Sequence, residues 1–285
     1  MLRRLSLCVF IGLIGVGCRF AFGDSDKPSF RVGTFSADVT IPLGHRCMGI
    51  LPTKAKTIED RLEARGFVLL GSEKPLVLVA LDWCELRNGA YEQWREALGE
   101  VAGTNRERVL VSCLHQHDAP VCDKEAQSYL DGVGLEKELY DPDFHAKCIK
   151  RTCEALKEAL QETHPVTHLG LGEARVEKVA SSRRTVGKDG KVHYNRYSSS
   201  GGDPFHSQAP DGLIDPNLKL LTLWNGEEPL VVLSSYATHP MSYYGRGGVT
   251  ADFVGMARRR FQRDHLKTFP IYVTGCSGDV TAGKY

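Results

Sequence analysis

The sequence predicts an α/β protein with mixed β-sheets flanked by helices. Apolar runs of strand length alternate with segments whose apolar residues recur every three or four positions, as in amphipathic helices. The composition fits this class, because 42% hydrophobic and 25% charged residues are ordinary values for a globular protein. The 36 Lys and Arg residues nearly balance the 35 Asp and Glu residues. The resulting formal net charge of +1 argues against a nucleic-acid partner.

The first 23 residues have the pattern of a secretory signal peptide. A basic start at Arg3 and Arg4 precedes an apolar run over 5–17, which is too short to span a bilayer. Ala21 and Gly23 place small residues at the two positions that a signal peptidase reads. We therefore predict a signal peptide over 1–23, a single domain over 24–285 and a secreted or periplasmic location. An uncleaved membrane anchor is the alternative.

Strand signals come from short apolar runs that end at Gly, Pro or charged residues. They cover 30–39, 66–70, 76–81, 109–114, 218–223, 230–236 and 270–274. The turn residues over 71–75 separate the second and third runs, which predicts a hairpin. Val186 and Val192, on either side of Lys188-Asp189-Gly190-Lys191, predict a second, smaller hairpin.

Helices are predicted over 91–101, 144–160 and 252–262. The second of these carries apolar residues at three- and four-residue steps, which is typical of a long amphipathic helix. Thr250 and Asp252 are candidate caps at the start of the third helix. The polar segment 181–215 is rich in Gly, Ser and Pro, and a segment this long is usually either a functional loop or disordered. A loop that covers a substrate is one interpretation, and disorder is the other.

Cysteine usage predicts neither a metal ribbon nor a set of disulfides. Seven cysteines follow the signal segment, and their spacing matches no zinc-ribbon pattern. Export would permit one or two disulfides, but the sequence does not indicate which cysteines would pair.

Polar side chains follow three predicted strands, at the point where each strand ends. His115-Gln116-His117-Asp118 follows the strand 109–114, Thr238-His239-Pro240 follows 230–236, and Gly275–Thr281 follows 270–274. Sites in α/β sheets commonly form at the carboxyl ends of strands. Imidazoles bind zinc, and residues i and i+2 of an extended segment face the same way. Both histidines of the first motif could therefore reach one ion; alternatively, one binds the metal and the other acts as an acid or base.

Two nucleophilic mechanisms compete with the metal site. Ser277 does not lie in a G-x-S-x-G nucleophile elbow, because Asp279 occupies the position of the second Gly. Cys276 could form a thiolate with His239, but no neighbour in the sequence clearly lowers the pKa of its thiol. The sequence therefore favours a metal site.

Several short motifs occur in order from about Val32 to the last residue. They are Met48-Gly49, Ala80-Leu81-Asp82, His115-Gln116-His117, Thr238–Ser242, Asp252–Gly255 and Gly278–Thr281. In this order they resemble the Met-Gly turn, the Ala-Asp strand end and the H-T-H-S-G-P, H-P-x-S, S-D-N-x-G-Y and G-D-V-S-P-N motifs of the neutral, non-lysosomal ceramidases. Arg183 resembles the Arg of that family's N-R-S segment, with Asn195-Arg196 as the alternative alignment.

The resemblance implies a ceramidase-like catalytic domain that uses zinc to cleave the N-acyl bond of ceramide or a related N-acyl lipid. It implies zinc ligation by His115 and His239. His117 would contact the substrate, and an ordinary histidine pKa near 6.5 suits proton transfer to the departing amine. Arg183 and Gly49 would position the substrate. Thr281 replaces the family's Ser and keeps a hydroxyl that could hold substrate or stabilise an oxyanion.

Three aspartates in these motifs are expected to support the site from behind the ligands: Asp82, Asp252 and Asp279. Asp82 would orient a ligand histidine, with a turn-capping carboxylate as the alternative. Asp118 and Cys276 stand where the family has Ser and Asn, so the resemblance indicates the metal more firmly than ceramide itself.

The resemblance covers only the N-terminal portion of the family's catalytic domain. That family takes two further ligands, a Glu and a Tyr, from sequence beyond the G-D-V-S motif, so we expect this chain to be incomplete at its C-terminus. The expected partners are a lipid or N-acyl small molecule, with peripheral membrane contact and no nucleic acid. A metallohydrolase of the same fold acting on another amide or an ester, and a non-catalytic lipid-binding remnant, are the alternatives.

Overall fold

The computed structural model describes residues 30–48, 51–193 and 196–285. The predicted signal peptide, Gly49 and Asn195 lie outside these residues. The strands are β1 (Phe30–Asp38), β2 (Thr57–Ile58), β3 (Glu63–Leu70), β4 (Leu76–Leu81), β5 (Glu85–Arg87), β6 (Val109–Cys113), β7 (Val121–Asp123), β8 (His164–Val166), β9 (His168–Arg175), β10 (Ser181–Ser182), β11 (Thr185–Val186), β12 (Val192–His193), β13 (Asn217–Asn225), β14 (Glu228–Tyr236), β15 (Gly248–Val249), β16 (Phe269–Thr274) and β17 (Val280–Thr281). The helices are α1 (Asn88–Ala102), α2 (Lys124–Asp131), α3 (Pro142–Ala159), α4 (Pro204–Gln208) and α5 (Asp252–Asp264).

Two mixed sheets form the framework, which confirms the predicted α/β class. The first has the strand order β6-β4-β3-β1-β8 and the second has the order β16-β14-β13-β9. Each sheet contains one parallel pair, β4 with β6 and β14 with β16, while the other neighbours are antiparallel. The predicted hairpins are both present, as β3 with β4 and as β11 with β12. In both parallel pairs, the polar motifs follow the carboxyl ends of the strands.

The first sheet is buried on both faces. From β4, Val77, Val79 and Leu81 pack into the cluster that contains residues of α1 and α3. Leu78 and Ala80 point to the opposite face and pack into the cluster shared with the second sheet. Because alternate side chains enter different cores, the whole strand is apolar, as is usual for a strand covered on both sides.

Helix α3 begins where the local chemistry favours a helix start. Asp141 caps it by accepting hydrogen bonds from the backbone N–H groups of Asp143 and Phe144, at 2.9 and 3.4 Å, and Pro142 occupies the first turn. The helix therefore starts two residues before the predicted segment 144–160. On its buried face, His145 Nε2 accepts a hydrogen bond of 3.0 Å from Trp94 Nε1 of α1. This contact joins the two helices that cover the first sheet.

His145 is expected to make stability depend on pH. Burial lowers its pKa to about 4, whereas an unfolded chain has a histidine pKa of about 6.5. The unfolded state therefore binds more protons between these values, and this contribution of about 3 kcal/mol is lost as the pH falls from about 6.5 to 4. Urea unfolding of wild type and His145→Gln at pH 7 and pH 5 measures the effect. The amide oxygen of Gln can still accept from Trp94, so the variant should lose less stability on acidification, and an equal loss would refute the assignment.

Helix α5 starts at the predicted position, but neither predicted cap residue occupies the N-cap position itself. Its N-cap residue is Ala251, which makes no side-chain capping hydrogen bond. Asp252 is the first helical residue, and its carboxylate accepts hydrogen bonds from the N–H groups of Tyr243 and Phe253. The Thr250 hydroxyl accepts from Asp252 N and donates to Asp60. Asp252 therefore ties the segment after β14 to the helix.

The seven cysteines after the signal segment, all within the described residues, are free thiols. Among the residues that the structure describes, no helix combines the length and apolar character needed to cross a membrane.

Candidate metal centre

Three histidines converge in a cavity at the carboxyl ends of β6 and β14. The cavity has a volume of about 1060 Å³, and His115, His117 and His239 line it. One ring nitrogen from each histidine lies within 4.8 Å of those of the other two. The centroid of the His115 ring lies 4.9 Å from that of His239 and 5.2 Å from that of His117. The structure thus brings both predicted ligands, and the predicted substrate contact, to one point.

The same ring nitrogen of each histidine faces a backbone carbonyl. His115 Nδ1 lies 3.1 Å from the Cys84 oxygen, and His117 Nδ1 lies 3.3 Å from that of Pro240. A hydrogen bond donated by Nδ1 fixes the tautomer and leaves the Nε2 lone pair for a ligand.

His239 is held in the same way, by the segment that follows β16. Its Nδ1 lies 2.6 Å from the carbonyl oxygen of Ser277 and 3.2 Å from that of Val280. Its backbone N–H also donates to Val280, and a β-bridge joins it to Thr281. The ring is therefore positioned by the motif that the sequence analysis placed after the last strand.

A turn after β6, and not the two-residue period of a strand, brings the two histidines of the H-x-H motif together. Strand β6 ends at Cys113, and His115 has a left-handed backbone with a φ of 68°. The expectation that an extended backbone aligns His115 with His117 is therefore wrong, although both rings reach the same place. A left-handed conformation in a residue other than Gly is costly and is often found at functional sites.

The charge state of the histidines suits a metal. Burial lowers the pKa of His117 to about 4, with the nearby His115 adding to the effect. Burial, followed by the positive charge of Arg183, also lowers the pKa of His239. Both imidazoles are therefore neutral at pH 7, which is the form that binds a metal. Three imidazoles with an adjoining cavity are a donor set that could hold a metal ion.

Comparison with known proteins identifies the fold. The chain matches no protein-family model and no curated protein. The solved structure of neutral ceramidase from Pseudomonas aeruginosa superposes with a TM-score of 0.69 at 17% identity, over 90% of this chain and 40% of that one. A structure described as ceramidase complexed with C2 superposes with a TM-score of 0.66 at 16% identity, over 90% of this chain and 39% of that one.

The chain has a neutral ceramidase fold. This confirms the resemblance expected from the sequence motifs at the level of the fold, which is what a likeness at such low identity shows. The chain spans about 40% of the length of the solved structures that it matches.

Within the ceramidase-like fold, Arg183 lies at the cavity wall, and its role in positioning substrate stays a prediction. Its guanidinium contacts the sulfur of Met241 at 2.9 Å and the carbonyl oxygen of Gly278 at 3.4 Å. Its backbone N–H donates to the Asp279 oxygen at 2.9 Å. Met48 lines the same cavity, whereas its neighbour Gly49 lies outside the described residues. The segment 181–215 thus contributes directly to the cavity.

Thr281 lies behind the histidine cluster. Its side chain is fully buried, and its hydroxyl has no hydrogen-bond partner among the described residues. The next residue, Ala282, reaches the cavity wall instead. The structure therefore places Thr281 where it supports His239 through the backbone, and its role towards substrate stays a prediction.

The three aspartates expected behind the ligands have other partners. Asp82 binds the Arg258 guanidinium through both carboxylate oxygens, at 2.5 and 2.6 Å, so it does not orient a histidine. Asp279 forms an ion pair of 2.9 Å with Arg184 at the surface. Asp252 holds Tyr243 and so acts on the segment that follows His239.

Several cavity residues were not predicted from the sequence. The Tyr244 ring lies 5.0 Å from that of His117, between ring centroids, and Arg246 also lines the cavity. Glu85 Oε1 lies 3.6 Å from His115 Nδ1, and Cys84, Glu85 and His115 form a second group with metal-ligand atoms within 4.8 Å. The only available signal was their closeness in sequence to the Asp82 and His239 motifs.

Proposed function

We propose that this chain supplies the histidine ligands of a zinc-dependent amidohydrolase site of the ceramidase type. The site would act on the N-acyl bond of ceramide or a related N-acyl lipid. The convergence of His115, His117 and His239 carries the proposal, since imidazoles held through Nδ1 by a backbone carbonyl can bind zinc through Nε2. The ceramidase-like fold supports it. Export by the segment 1–23 would place the protein outside the cytoplasm, with peripheral contact to lipid.

The group that fits this donor set is zinc. When bound, zinc supplies a Lewis acid that polarises an amide carbonyl and makes water more acidic. His115 and His239 would hold it, each fixed by a backbone carbonyl. We assign His117 to the same ligand set, because one of its ring nitrogens lies within 4.8 Å of a ring nitrogen of both His115 and His239. Burial also lowers its pKa, so that it is a poor proton donor at pH 7. This assignment replaces the proton-transfer role that rested on an ordinary histidine pKa.

The chain's other residues shape the place where substrate binds. Arg183 contributes a positive charge at the wall, fixed through Met241 and Gly278. The Tyr244 ring packs beside His117 and forms part of the cavity wall on that side. These groups would orient a carbonyl towards the histidine cluster.

The test measures zinc binding by the 285-residue chain and the release of acyl groups from substrates that it is given. We expect the purified protein to bind one zinc ion in competition with a chromophoric chelator. We expect it to release fatty acid from a short-chain N-acyl sphingoid base, to stop after dialysis against chelator and to recover with zinc. Release from a soluble ester alone would favour the alternative metallohydrolase. Failure to bind zinc at micromolar concentrations would refute the proposal.

A further inference from the structure

The cavity that holds the histidines is rich in arginine. Arg87, Arg183 and Arg246 line it, together with the two carboxylates of Glu85 and Asp123. A pocket built only for the hydrocarbon chains of a neutral lipid would have few charged groups in its wall.

Of the two carboxylates, one pairs with an arginine and the other caps a helix. Glu85 forms an ion pair with Arg87. Asp123 accepts hydrogen bonds from the Ala126 N–H at 3.0 Å and from Asn88 Nδ2 at 2.9 Å, as the cap of helix α2. Within 30–48, 51–193 and 196–285, no ion pair joins Arg183 or Arg246 to a carboxylate. Arg183 is half-buried and Arg246 is exposed, so both guanidinium groups can be reached from the cavity without breaking an ion pair.

The side-chain partners of Arg183 are uncharged. They are a methionine sulfur and a backbone carbonyl, and its Nε is buried with no partner among the described residues. Guanidinium groups bind carboxylates and phosphates through several parallel N–H donors. Arg183 therefore offers unused donors beside the histidine cluster.

Arg246 is presented by a loop with a fixed backbone. Its neighbours Gly245 and Gly247 both have positive φ, 61° and 85°. Gly247 N donates to Asp118 Oδ1 at 2.8 Å, and the Gly245 oxygen accepts from the Thr53 hydroxyl at 3.1 Å. A Cβ on Gly247 would lie 2.6 Å from the Lys54 oxygen, so the loop requires glycine there. Fixing the backbone on both sides reduces the entropy that Arg246 loses on binding.

We propose that the substrate of this cavity is an N-acyl compound that bears an oxyanion, a carboxylate or a phosphate, bound by Arg183 and Arg246. This inference rests on the proposed function, and it narrows the substrate class from N-acyl lipids in general to anionic ones. The acyl amide would lie at the histidine cluster and the oxyanion at the arginines. A neutral ceramide has no anionic group that could pair with either guanidinium.

The test compares substrates that differ only in charge, using the zinc-loaded full-length chain. One pair is an N-acylglycine and its N-acylglycinamide, and the other is an N-acylethanolamine phosphate and the parent N-acylethanolamine. We expect kcat/KM to be about tenfold higher for at least one anionic member. The pair that shows the larger ratio identifies the oxyanion. Equal values in both pairs would overturn the inference.

The variant Arg246→Gln tests the assigned residue. It should lower the anionic-to-neutral ratio of kcat/KM, and Arg183 should account for the preference that remains. Arg260→Gln is the matched control, because Arg260 is exposed on α5 and does not line the cavity. That control should keep the wild-type ratio, and an equal change in both variants would refute the role of Arg246.

Binding separates this inference from the proposed function. If no compound is hydrolysed, the proposed function fails. Calorimetry on the zinc-free protein can still measure the affinity for N-acylglycine and N-acylglycinamide, and for the two members of the phosphate pair. A preference for an anionic member that is weaker in Arg246→Gln sustains the inference. Equal binding of both members of each pair overturns it.

Discussion

Replacing His239 with alanine is expected to lower zinc affinity by at least about 100-fold. The ring of His239 lies 4.9 Å from that of His115, between centroids, and two backbone carbonyls fix its Nδ1. Loss of a group that merely orients a ligand typically costs 10- to 100-fold in affinity, so loss of a positioned ligand costs at least as much. Competition with a chromophoric chelator measures the dissociation constant directly, without reference to any substrate.

The control for this variant is His164→Ala. His164 is exposed on β8, outside the histidine cluster, and its removal should leave zinc affinity unchanged. Urea unfolding without zinc checks that both variants fold. Wild-type zinc affinity in the folded His239→Ala protein would contradict the assignment of the site.

His117→Ala distinguishes the two roles considered for that residue. If His117 is a ligand, as we propose, zinc affinity should fall to a similar extent as in His239→Ala. If it only contacts substrate, as the motif resemblance implies, zinc affinity should stay near the wild-type value while kcat/KM falls.

The framework of this site could be predicted from the sequence because local signals determine it. Apolar runs marked β4 and β14 as strands, and polar motifs directly after β6 and β14 marked the sheet edge where the histidines meet. These signals depend on neighbouring residues only. They therefore remain detectable even though the sequence identity to the solved structure is only 17%.

The partners of charged residues could not be predicted, because they lie far apart in the sequence. Asp82 resembled a ligand-orienting carboxylate, but its partner Arg258 lies 176 positions away on α5. Arg246 carried a local signal, since glycines flank it on both sides. That signal indicates a turn but not what the turn faces, and only the folded arrangement places it in the cavity.

Replacing Asp82 with alanine is expected to destabilise the protein by about 3–5 kcal/mol, the usual cost of leaving one member of a buried ion pair unpaired. Asp82 is fully buried and binds both terminal nitrogens of Arg258, which is itself only 6% exposed. Asp82 also accepts a hydrogen bond of 2.9 Å from the Glu63 N–H. Without the carboxylate, the guanidinium stays buried with only a longer contact to Glu63, 3.8 Å. The free energy of unfolding in urea gives the loss.

Two further variants separate this mechanism from a general effect of removing an acidic residue. Glu73→Ala removes the exposed partner of Arg108 on the hairpin turn, and it should leave the urea midpoint unchanged, because exposed ion pairs contribute little. The double variant Asp82→Ala/Arg258→Leu removes the unpaired charge together with its partner, so it should recover part of the stability lost in Asp82→Ala. If the double variant is less stable than Asp82→Ala, the cost arises from lost packing and not from an uncompensated buried cation.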